Sequence, residues 1–284
     1  MNELVGKVAV ITGGASGIGR AVAERAAAEG MRLVLADIEV GPLQVTADAL
    51  SASGAEVEAV VTDVSDAKDV EVLRDRALER FGAVHLVHNN AGVGVGGPLW
   101  TVSEADWKWI LGVNLWGVIH GIRTFVPLLV EQDEGHLVNT ASMAGLTSPG
   151  FMGPYNATKH AVTTISETLY RDLRATGSSV GVSVLCPGFV RTGIGESERN
   201  RPHWAPGPEL DAAGGALQQL LRDLVAGGIE PSSVAERVIE AVRTDTFYIL
   251  THDDSRPMVA ARLRAILDGR PPSDPTTEAV VLTQ

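Results

Sequence analysis

Near its start, the 284-residue chain reads Lys7-Val8-Ala9-Val10-Ile11-Thr12-Gly13-Gly14-Ala15-Ser16-Gly17-Ile18-Gly19. Residues 8–11 are apolar and largely β-branched, which is typical of a buried parallel strand. The alanine-rich residues 20–29 indicate a helix that ends at Gly30. A glycine loop between a strand and a helix presents backbone N–H groups and a helix N-terminus to a pyrophosphate. Glycine suits such a loop because a Cβ would block the phosphate oxygens and because some positions need a positive φ.

The next predicted strand, residues 32–37, supplies a second part of a dinucleotide site. It ends at Asp37, eighteen residues after Gly19. A carboxylate at this place accepts hydrogen bonds from the adenosine ribose and repels a 2′-phosphate. Ser16 and Ile38, which flank the expected position of that phosphate, are not basic. The glycine spacing is G-x3-G-x-G rather than the common G-x-G-x-x-G. The combination predicts NAD in preference to NADP.

A tyrosine and a lysine further along the chain predict proton transfer. Tyr155 and Lys159 lie four positions apart, so they share one face of a helix, and Ser142 precedes Tyr155 by thirteen residues. A cation beside a phenol favours the phenolate and lowers its pKa. Moving a tyrosine pKa from about 10 to about 7 takes roughly 4 kcal/mol, most of which one close ammonium can supply. The pair arises by chance in many helices, but with the glycine loop it predicts Tyr155 as a general base.

Together these motifs resemble the short-chain dehydrogenase/reductase family over roughly residues 5–195, with six motifs in the family's order. The resemblance implies a catalytic set of Asn114, Ser142, Tyr155 and Lys159, in which Asn114 holds a proton-relay water through its backbone and Ser142 stabilises the substrate oxygen. It also implies a cofactor site. With Asp37 and Ile38, that site comprises Gly13, Ser16, Gly17, Ile18, Gly19, Asp63, Val64, Asn90, Ala91, Gly92, Tyr155, Lys159, Pro187, Gly188, Val190 and Thr192.

Apolar strands alternate with amphipathic helices along the chain, which predicts one doubly wound α/β domain of the Rossmann type with a seven-stranded parallel sheet. The predicted strands are 7–11, 32–37, 56–61, 84–89, 136–142, 181–186 and 246–250. The predicted helices are near 16–30, 41–52, 66–81, 103–131, 155–176, 208–227 and 231–244. We assign residues 1–254 to the catalytic domain, with a substrate lid at about 188–210. Residues 255–284 are expected to form an added C-terminal helix, 256–267, and a disordered tail.

Charge and composition exclude several classes of function. The net charge is −12, from 35 acidic and 23 basic residues, so neither a nucleic acid nor an anionic membrane is expected as a partner. No basic leader precedes the first apolar run, and no run of eighteen apolar residues is present, so we expect a soluble cytoplasmic protein. The lone Cys186 is predicted to lie in a buried strand. No metal is expected, because the histidines lack ligand spacing and His252-Asp253-Asp254 is typical of a solvated turn.

The lid and its surroundings predict an apolar substrate site. The expected lining residues are Val95, Ser142, Met143, Phe151, Tyr155, Phe189 and Trp204, and such a lining suits a bulky hydrophobic secondary alcohol or ketone. Trp204 fits equally well as a substrate anchor and as an aromatic that packs the lid onto the body. The lid charges Arg191, Arg199, Arg201 and His203 are interpreted as solvated, with an anionic group on the substrate as the second interpretation.

Three functions stay open on this basis. The first is an NAD-dependent dehydrogenase of a terpenoid, aryl or steroid-like alcohol. The second is an NAD(P)-dependent reductase of a 3-oxoacyl thioester or a sugar-type ketone, against which Asp37 argues. The third is a cofactor-sensing binding protein without chemistry, against which Tyr155 and Lys159 argue. The C-terminal helix departs from the glycine-rich ending usual in the family, so either a homotetramer or a homodimer through helices 103–131 and 155–176 is expected.

Overall fold

Seven parallel strands form one sheet in the computed structural model, which describes residues 1, 3–207 and 212–272. The order across the sheet is β3-β2-β1-β4-β5-β6-β7. The strands are β1 Val8–Thr12, β2 Arg32–Asp37, β3 Val57–Val61, β4 Leu86–Asn89, β5 His136–Thr140, β6 Gly181–Cys186 and β7 Tyr248–Leu250. The order reverses between β1 and β4, and ligands of open α/β sheets bind at such a switch point, at the carboxyl ends of the strands.

Helices cover both faces of the sheet, so the predicted doubly wound α/β class is confirmed. Within the described residues they are α1 Gly17–Ala28, α2 Val40–Ala52, α3 Ala67–Phe81, α4 Glu104–Leu111, α5 Gly117–Gln132, α6 Ala144–Thr147, α7 Gly153–Ala175, α8 Ala212–Ala226, α9 Pro231–Thr244 and α10 Ser255–Leu267. Successive residues of β1 enter different cores: Ala9 and Ile11 pack with α1 and α9, whereas Val8 and Val10 pack with α3 and α5. A strand buried on both sides is why its sequence is apolar without alternation.

The predicted helix 103–131 is interrupted by a π-helical turn, Gly112–Trp116, between α4 and α5. Its start is as expected, because Ser103 and Asp106 form a reciprocal capping box. The π turn contains Asn114, which is completely buried. Turns of this kind are rare and occur frequently at functional sites. Apolar periodicity does not reveal them, because one extra residue barely disturbs the pattern.

The lid contains more regular structure than a loop prediction implies. Within the lid, a 3-10 helix spans Gly193–Asn200. Outside the lid, the short helix α6 after β5 was not predicted either. The C-terminal helix is confirmed as α10, whereas the division of the chain at residue 254 stays a prediction. Residues 208–211, which include the end of the lid and the start of a predicted helix, lie outside the described residues, as does the predicted tail from 273 onward. Cys186 ends β6 and is fully buried, as predicted.

By length and composition alone, the 29-residue stretch Glu104–Gln132 passes for a membrane span, with a mean hydropathy of 1.4 in its most apolar window. The same test is passed by core helices of soluble proteins. In this chain Val118, Phe125 and Leu129 on that stretch are buried against the sheet. Of the large apolar residues on this stretch, Trp116 and Val130 are exposed, by 48% and 40%.

A buried histidine makes the stability of the fold depend on pH. His88 on β4 is fully buried, and burial lowers its pKa to about 3. Its folded pKa lies below the unfolded value near 6.5, so the unfolded chain binds the proton more readily. The contribution of His88 is therefore complete above pH 6.5 and is lost as the pH falls toward 3, by up to about 1.4 kcal/mol per pH unit. Urea unfolding at pH 7.5, 6 and 5 measures this.

The matched variant is His88→Gln, which keeps a polar group near the Thr140 hydroxyl, 2.9 Å from His88 Nε2. It cannot titrate, so its unfolding free energy should fall less steeply below pH 6.5 than that of the unmodified chain. Identical slopes for the two proteins would exclude His88 as the source.

Candidate active site

The glycine loop after β1 has the backbone that the sequence analysis expected. Gly13 and Gly17 have φ values of +67° and +54°, a region that glycine enters without strain. A Cβ on Gly19 would lie 2.1 Å from the Gly13 carbonyl oxygen, so no larger residue fits there. Ser16 is the N-cap of α1, but its side chain makes no capping hydrogen bond. The first-turn N–H groups of α1 therefore have no side-chain cap, which suits an anionic ligand.

Hydrogen bonds fasten this loop to the segment after β4. The Thr12 hydroxyl accepts bonds from the N–H groups of Asn90 (2.9 Å) and Ala91 (3.1 Å). In return, Asn90 Nδ2 donates to the Thr12 carbonyl at 2.9 Å. Gly92 follows, and a Cβ on it would lie 3.7 Å from Lys159 Nζ. The structure thus brings the expected cofactor residues of the two loops together, next to the expected catalytic lysine.

Asp37 joins the same edge from β2. Its carboxylate accepts the N–H groups of Ala15 and Glu39, each at 3.0 Å. Burial raises the pKa of Asp37, these two N–H groups oppose the shift, and the nearby charge of Glu39 adds to it. The carboxylate is therefore positioned by the glycine loop, at the place predicted for a ribose ligand.

Four further expected cofactor residues lie in the segments after β2, β3 and β6. The Asp63 carboxylate accepts the N–H and hydroxyl of Ser65 (2.9 and 2.7 Å) and so shapes the turn into α3, while Val64 is buried and Ile38 is half-exposed. Val190 forms a parallel bridge with Ile229, at the base of the lid.

Tyr155 and Lys159 lie side by side at the start of α7, and both are buried. Lys159 Nζ is 5.5 Å from the centre of the Tyr155 ring and donates to the Thr140 carbonyl, at the end of β5, at 2.8 Å. Gly145 on α6 allows the helices to approach, because a Cβ there would lie 2.6 Å from the Lys159 carbonyl oxygen.

The expected depression of the tyrosine pKa is wrong for the chain by itself. Burial raises the pKa of Tyr155 to about 12, opposed by a hydrogen bond with Ser142. Burial also lowers the pKa of Lys159 to about 8. The cost of removing a phenolate from water outweighs the attraction of the ammonium here. In the chain by itself the Tyr155 phenol is therefore protonated at neutral pH, and burial disfavours the phenolate that a general base requires.

Ser142 and Asn114 complete the expected catalytic set from two other elements. The buried Ser142 hydroxyl accepts the Ala144 N–H at 3.1 Å and lies 3.4 Å from the Pro187 carbonyl, which links the end of β5 to the loop after β6. Asn114 accepts the Val93 N–H at 2.8 Å and donates to the Val93 carbonyl at 2.9 Å. Its side chain thus fixes the segment after β4, a positioning role that the sequence did not reveal.

The expected substrate residues divide into an inner and an outer group. Val95, Met143, Ser142 and Tyr155 are buried at the site. Phe151, Phe189 and Trp204 are 57%, 41% and 58% exposed, and none of them packs in the cluster of described residues around Tyr155. Trp109 and Ile194 pack in the same cluster as Val95 and Tyr155, and neither was among the predicted lining residues. Trp109 lies three positions after Asp106 of the capping box, so the two residues share one helix face. This spacing is the sequence signal that could have placed Trp109 beside the site.

The side chains of Arg201 and His252, which the sequence predicts to be solvated, bind other segments of the chain. Arg201 has only 8% of its side chain exposed and pairs with Asp106 at 2.7 Å. His252 Nδ1 accepts the Gly188 N–H at 3.3 Å, which places the ring proton on Nε2, 3.1 Å from the Phe189 carbonyl. His252 therefore holds the backbone of Gly188-Phe189, at the base of the lid. Both contacts join segments far apart in sequence, so no local pattern signals them.

Comparison with known proteins shows similarity over most of the chain. Residues 7–203 match the family described as short chain dehydrogenase. A crystal structure of a short chain dehydrogenase/reductase from Burkholderia phymatum in complex with NAD is 50% identical, covers 96% of this chain and 99% of that chain, and has a TM-score of 0.95.

Two curated relatives are also similar over most of their length. The 1-deoxy-11-beta-hydroxypentalenate dehydrogenase of Streptomyces exfoliatus is 38% identical over 256 residues, 88% of this chain and 84% of the relative. The C alpha-dehydrogenase of Sphingobium sp. (strain NBRC 103272 / SYK-6) is 32% identical over 285 residues, 97% of this chain and 90% of the relative.

The glycine loop gives a prediction with a matched control. Gly19→Ala should lower the free energy of unfolding by about 1–3 kcal/mol, because the added methyl meets a backbone carbonyl that cannot move aside. Gly41 lies in α2, where an added Cβ would have nothing within 4 Å, so Gly41→Ala should be neutral or raise the free energy by about 0.5–1 kcal/mol. Urea midpoints measure both variants. Equal effects would refute the steric argument.

Proposed function

We propose, since the chain belongs to the short-chain dehydrogenase family, that it transfers a hydride between NAD and a bulky hydrophobic secondary alcohol or its ketone. Membership makes it an oxidoreductase; the cofactor and the substrate class are our proposal. The observation that carries it is the meeting of Ser142, Tyr155 and Lys159 with the glycine loop at one edge of the sheet.

The residues at the carboxyl edge fit a dinucleotide without a 2′-phosphate. The positive φ angles of the glycine loop and the uncapped start of α1 suit a pyrophosphate, and the Asp37 carboxylate suits a ribose diol. The similar protein from Burkholderia phymatum is in complex with NAD, which supports the same cofactor here. When bound, NAD would supply the hydride acceptor for alcohol oxidation.

The proton is handled by residues of the chain itself. Tyr155, which is hydrogen-bonded to Ser142, would exchange a proton with the substrate oxygen while Ser142 donates a hydrogen bond to that oxygen. Because burial holds the phenol protonated, it is ready to donate during ketone reduction. Alcohol oxidation requires the phenolate, which the ammonium of Lys159 favours and a rising pH favours further. Asn114 would act by positioning and, through its backbone, by holding a relay water.

The apolar interior supports a hydrophobic substrate. Val95 and Ile194 pack in the same cluster as Tyr155, and Met143, next to Ser142, is buried. The exposed aromatics Phe151 and Trp204 would contact a bulky substrate at the entrance. Lid cations do not favour an anionic substrate, because Arg199 and Arg201 already pair with acids. The relatives named above are called dehydrogenases, which supports oxidation of an alcohol, and we propose a terpenoid, aryl or steroid-like alcohol from the apolar lining. The alternative enzymatic function is reduction of a 3-oxoacyl or sugar-type ketone. The non-enzymatic alternative is a binding protein that senses the cofactor.

The quaternary structure is proposed from the surface of the long helices. Trp116 and Val130, in the π turn and on α5, are 48% and 40% exposed in the single chain. We propose that this face packs against a second copy in a cytoplasmic homodimer or homotetramer. Light scattering of the purified protein tests this, and a monomer at micromolar concentration would exclude it.

Turnover of a substrate panel tests the function. Terpenoid, benzylic and steroid-like secondary alcohols are incubated with NAD, and reduced nicotinamide is followed by absorbance. Tyr155→Phe should lower kcat by about 10²–10⁴-fold, because it removes the proton-transferring group, and should leave NADH binding intact. Tyr248→Phe is the control, since the Tyr248 hydroxyl bonds Glu167 at the far edge of the sheet. Substantial turnover by Tyr155→Phe would refute the assignment, and no turnover of any compound by the unmodified chain would favour the sensor.

The NAD preference is tested at Asp37. Asp37→Asn should narrow the NAD/NADP ratio of kcat/KM about tenfold or more, since a charge-assisted hydrogen bond contributes roughly 1.5–3 kcal/mol. Asp48→Asn removes the same charge from the exposed face of α2 and should leave the ratio unchanged. An unaltered ratio in Asp37→Asn would remove Asp37 as the determinant.

A further inference from the structure

Residues 192–201, here called the strap, lie across the carboxyl edge of the sheet. Thr192 lies close to the glycine loop after β1, since a Cβ added to Gly17 would be 3.0 Å from the Thr192 Cγ2. Ser197 accepts the Gly94 N–H at 2.9 Å, in the segment after β4. The far end of the strap reaches the turn after β2. Because β2, β1 and β4 are neighbours in the sheet, the strap passes over the switch point.

The contact after β2 is made by a single carboxylate. Arg199 Nε and Asn200 Nδ2 both donate to Glu39 Oε1, at 2.7 and 2.6 Å. The Glu39 N–H in turn donates to Asp37 at 3.0 Å. The strap is therefore attached to the residue whose backbone holds the expected ribose ligand.

The neighbouring contact of the strap is of a different kind. Arg201 lies with Asp106 in a pair that is less than a tenth exposed, and its guanidinium is 4.5 Å from the centre of the Trp109 ring. Buried pairs of this sort are costly to break. The Arg199–Glu39 pair has 40% and 22% of its side chains exposed, so water replaces its hydrogen bonds readily. Of the two, the contact at Glu39 is the one suited to open.

We propose that Glu39 is the latch of the strap and that a bound dinucleotide leaves only after Arg199 and Asn200 have released it. This inference rests on the proposed function, because it takes a dinucleotide to lie along the carboxyl edge, between the glycine loop and Asp37. A ligand in that position would lie beneath the strap. Glu39 is then a positioning residue for the cofactor, acting through the strap rather than by its own contact.

Stopped-flow displacement of NADH, followed by its fluorescence, measures the release rate. Glu39→Gln should raise the rate about two- to fivefold, the factor that corresponds to an exposed ion pair, and Glu39→Ala should raise it further. The control is Glu134→Gln, which breaks the pair with Lys7 (2.6 Å) at the opposite edge of the sheet and should leave the rate unchanged.

Asn200→Ala breaks the same contact from the strap side by removing the bond from Asn200 Nδ2 to Glu39 Oε1, so the test does not depend on the folding of one variant. Arg199 is less suitable, because it also donates to the Gly193 and Glu196 carbonyls within the strap. Combined with Glu39→Gln, Asn200→Ala should add little to the rate, because both substitutions remove one interaction. Release from the unmodified chain should also quicken with salt, and release from Glu39→Gln should be less sensitive to it. Fully additive effects of the two substitutions would overturn the latch.

Hydrogen exchange of the strap amides, measured without added cofactor, tests the Glu39 latch separately from dinucleotide binding. Faster exchange in Glu39→Gln supports the latch, and unchanged exchange overturns it. If NADH binds the unmodified chain but leaves Glu39→Gln at the same rate, only the latch is wrong. If NADH does not bind the unmodified chain, the proposed function is wrong and the release role fails with it.

Discussion

The reversal of strand order between β1 and β4 is the constraint on which the site depends. All seven strands are parallel, so every loop that follows a strand emerges at one edge of the sheet. At the reversal, the loops after β1 and β4 lead to helices on opposite faces, and a crevice is left between them. The hydrogen bonds that the Asn90 and Ala91 N–H groups donate to the Thr12 hydroxyl fasten the two sides of that crevice together. The serine and the aspartate reach it because β5 and β2 end at the same edge, and the lysine reaches it from the start of α7.

Burial governs the chemistry of the crevice more than the pairing of charges does. Tyr155 and Lys159 both have pKa values shifted toward their neutral forms, in opposite directions, by the same loss of solvent. The protonation of a buried phenol and a buried amine responds strongly to a charge placed nearby. Such a pair suits the proposed hydride transfer, in which the charge of the nicotinamide ring would change. The carbonyl of Thr140 compensates part of the desolvation of the ammonium and fixes its position.

Sequence patterns predicted the fold and the local site but not the contacts between distant segments. Apolar runs and glycine spacing located all seven strands and the loop at Gly13–Gly19, because burial on both faces and positive φ leave a direct trace in residue type. The π turn at Asn114 left no such trace, since it adds one residue within a continuous helix. His252, Arg201 and Glu39 were missed or misread because their partners are 64, 95 and 160 residues away. The error at Tyr155 was energetic, because desolvation depends on the depth of burial.

The position of Cys186 has a practical consequence. It is the sole cysteine of the chain, it is fully buried at the end of β6, and burial raises the pKa of its thiol to about 12. Thiolates, not thiols, react with alkylating reagents, so the native molecule shields this sulfur both sterically and electrostatically. Labelling of the thiol therefore reports opening of the central sheet, one event per molecule, with no engineered probe. The labelling rate of Cys186 thus measures how often the native sheet opens.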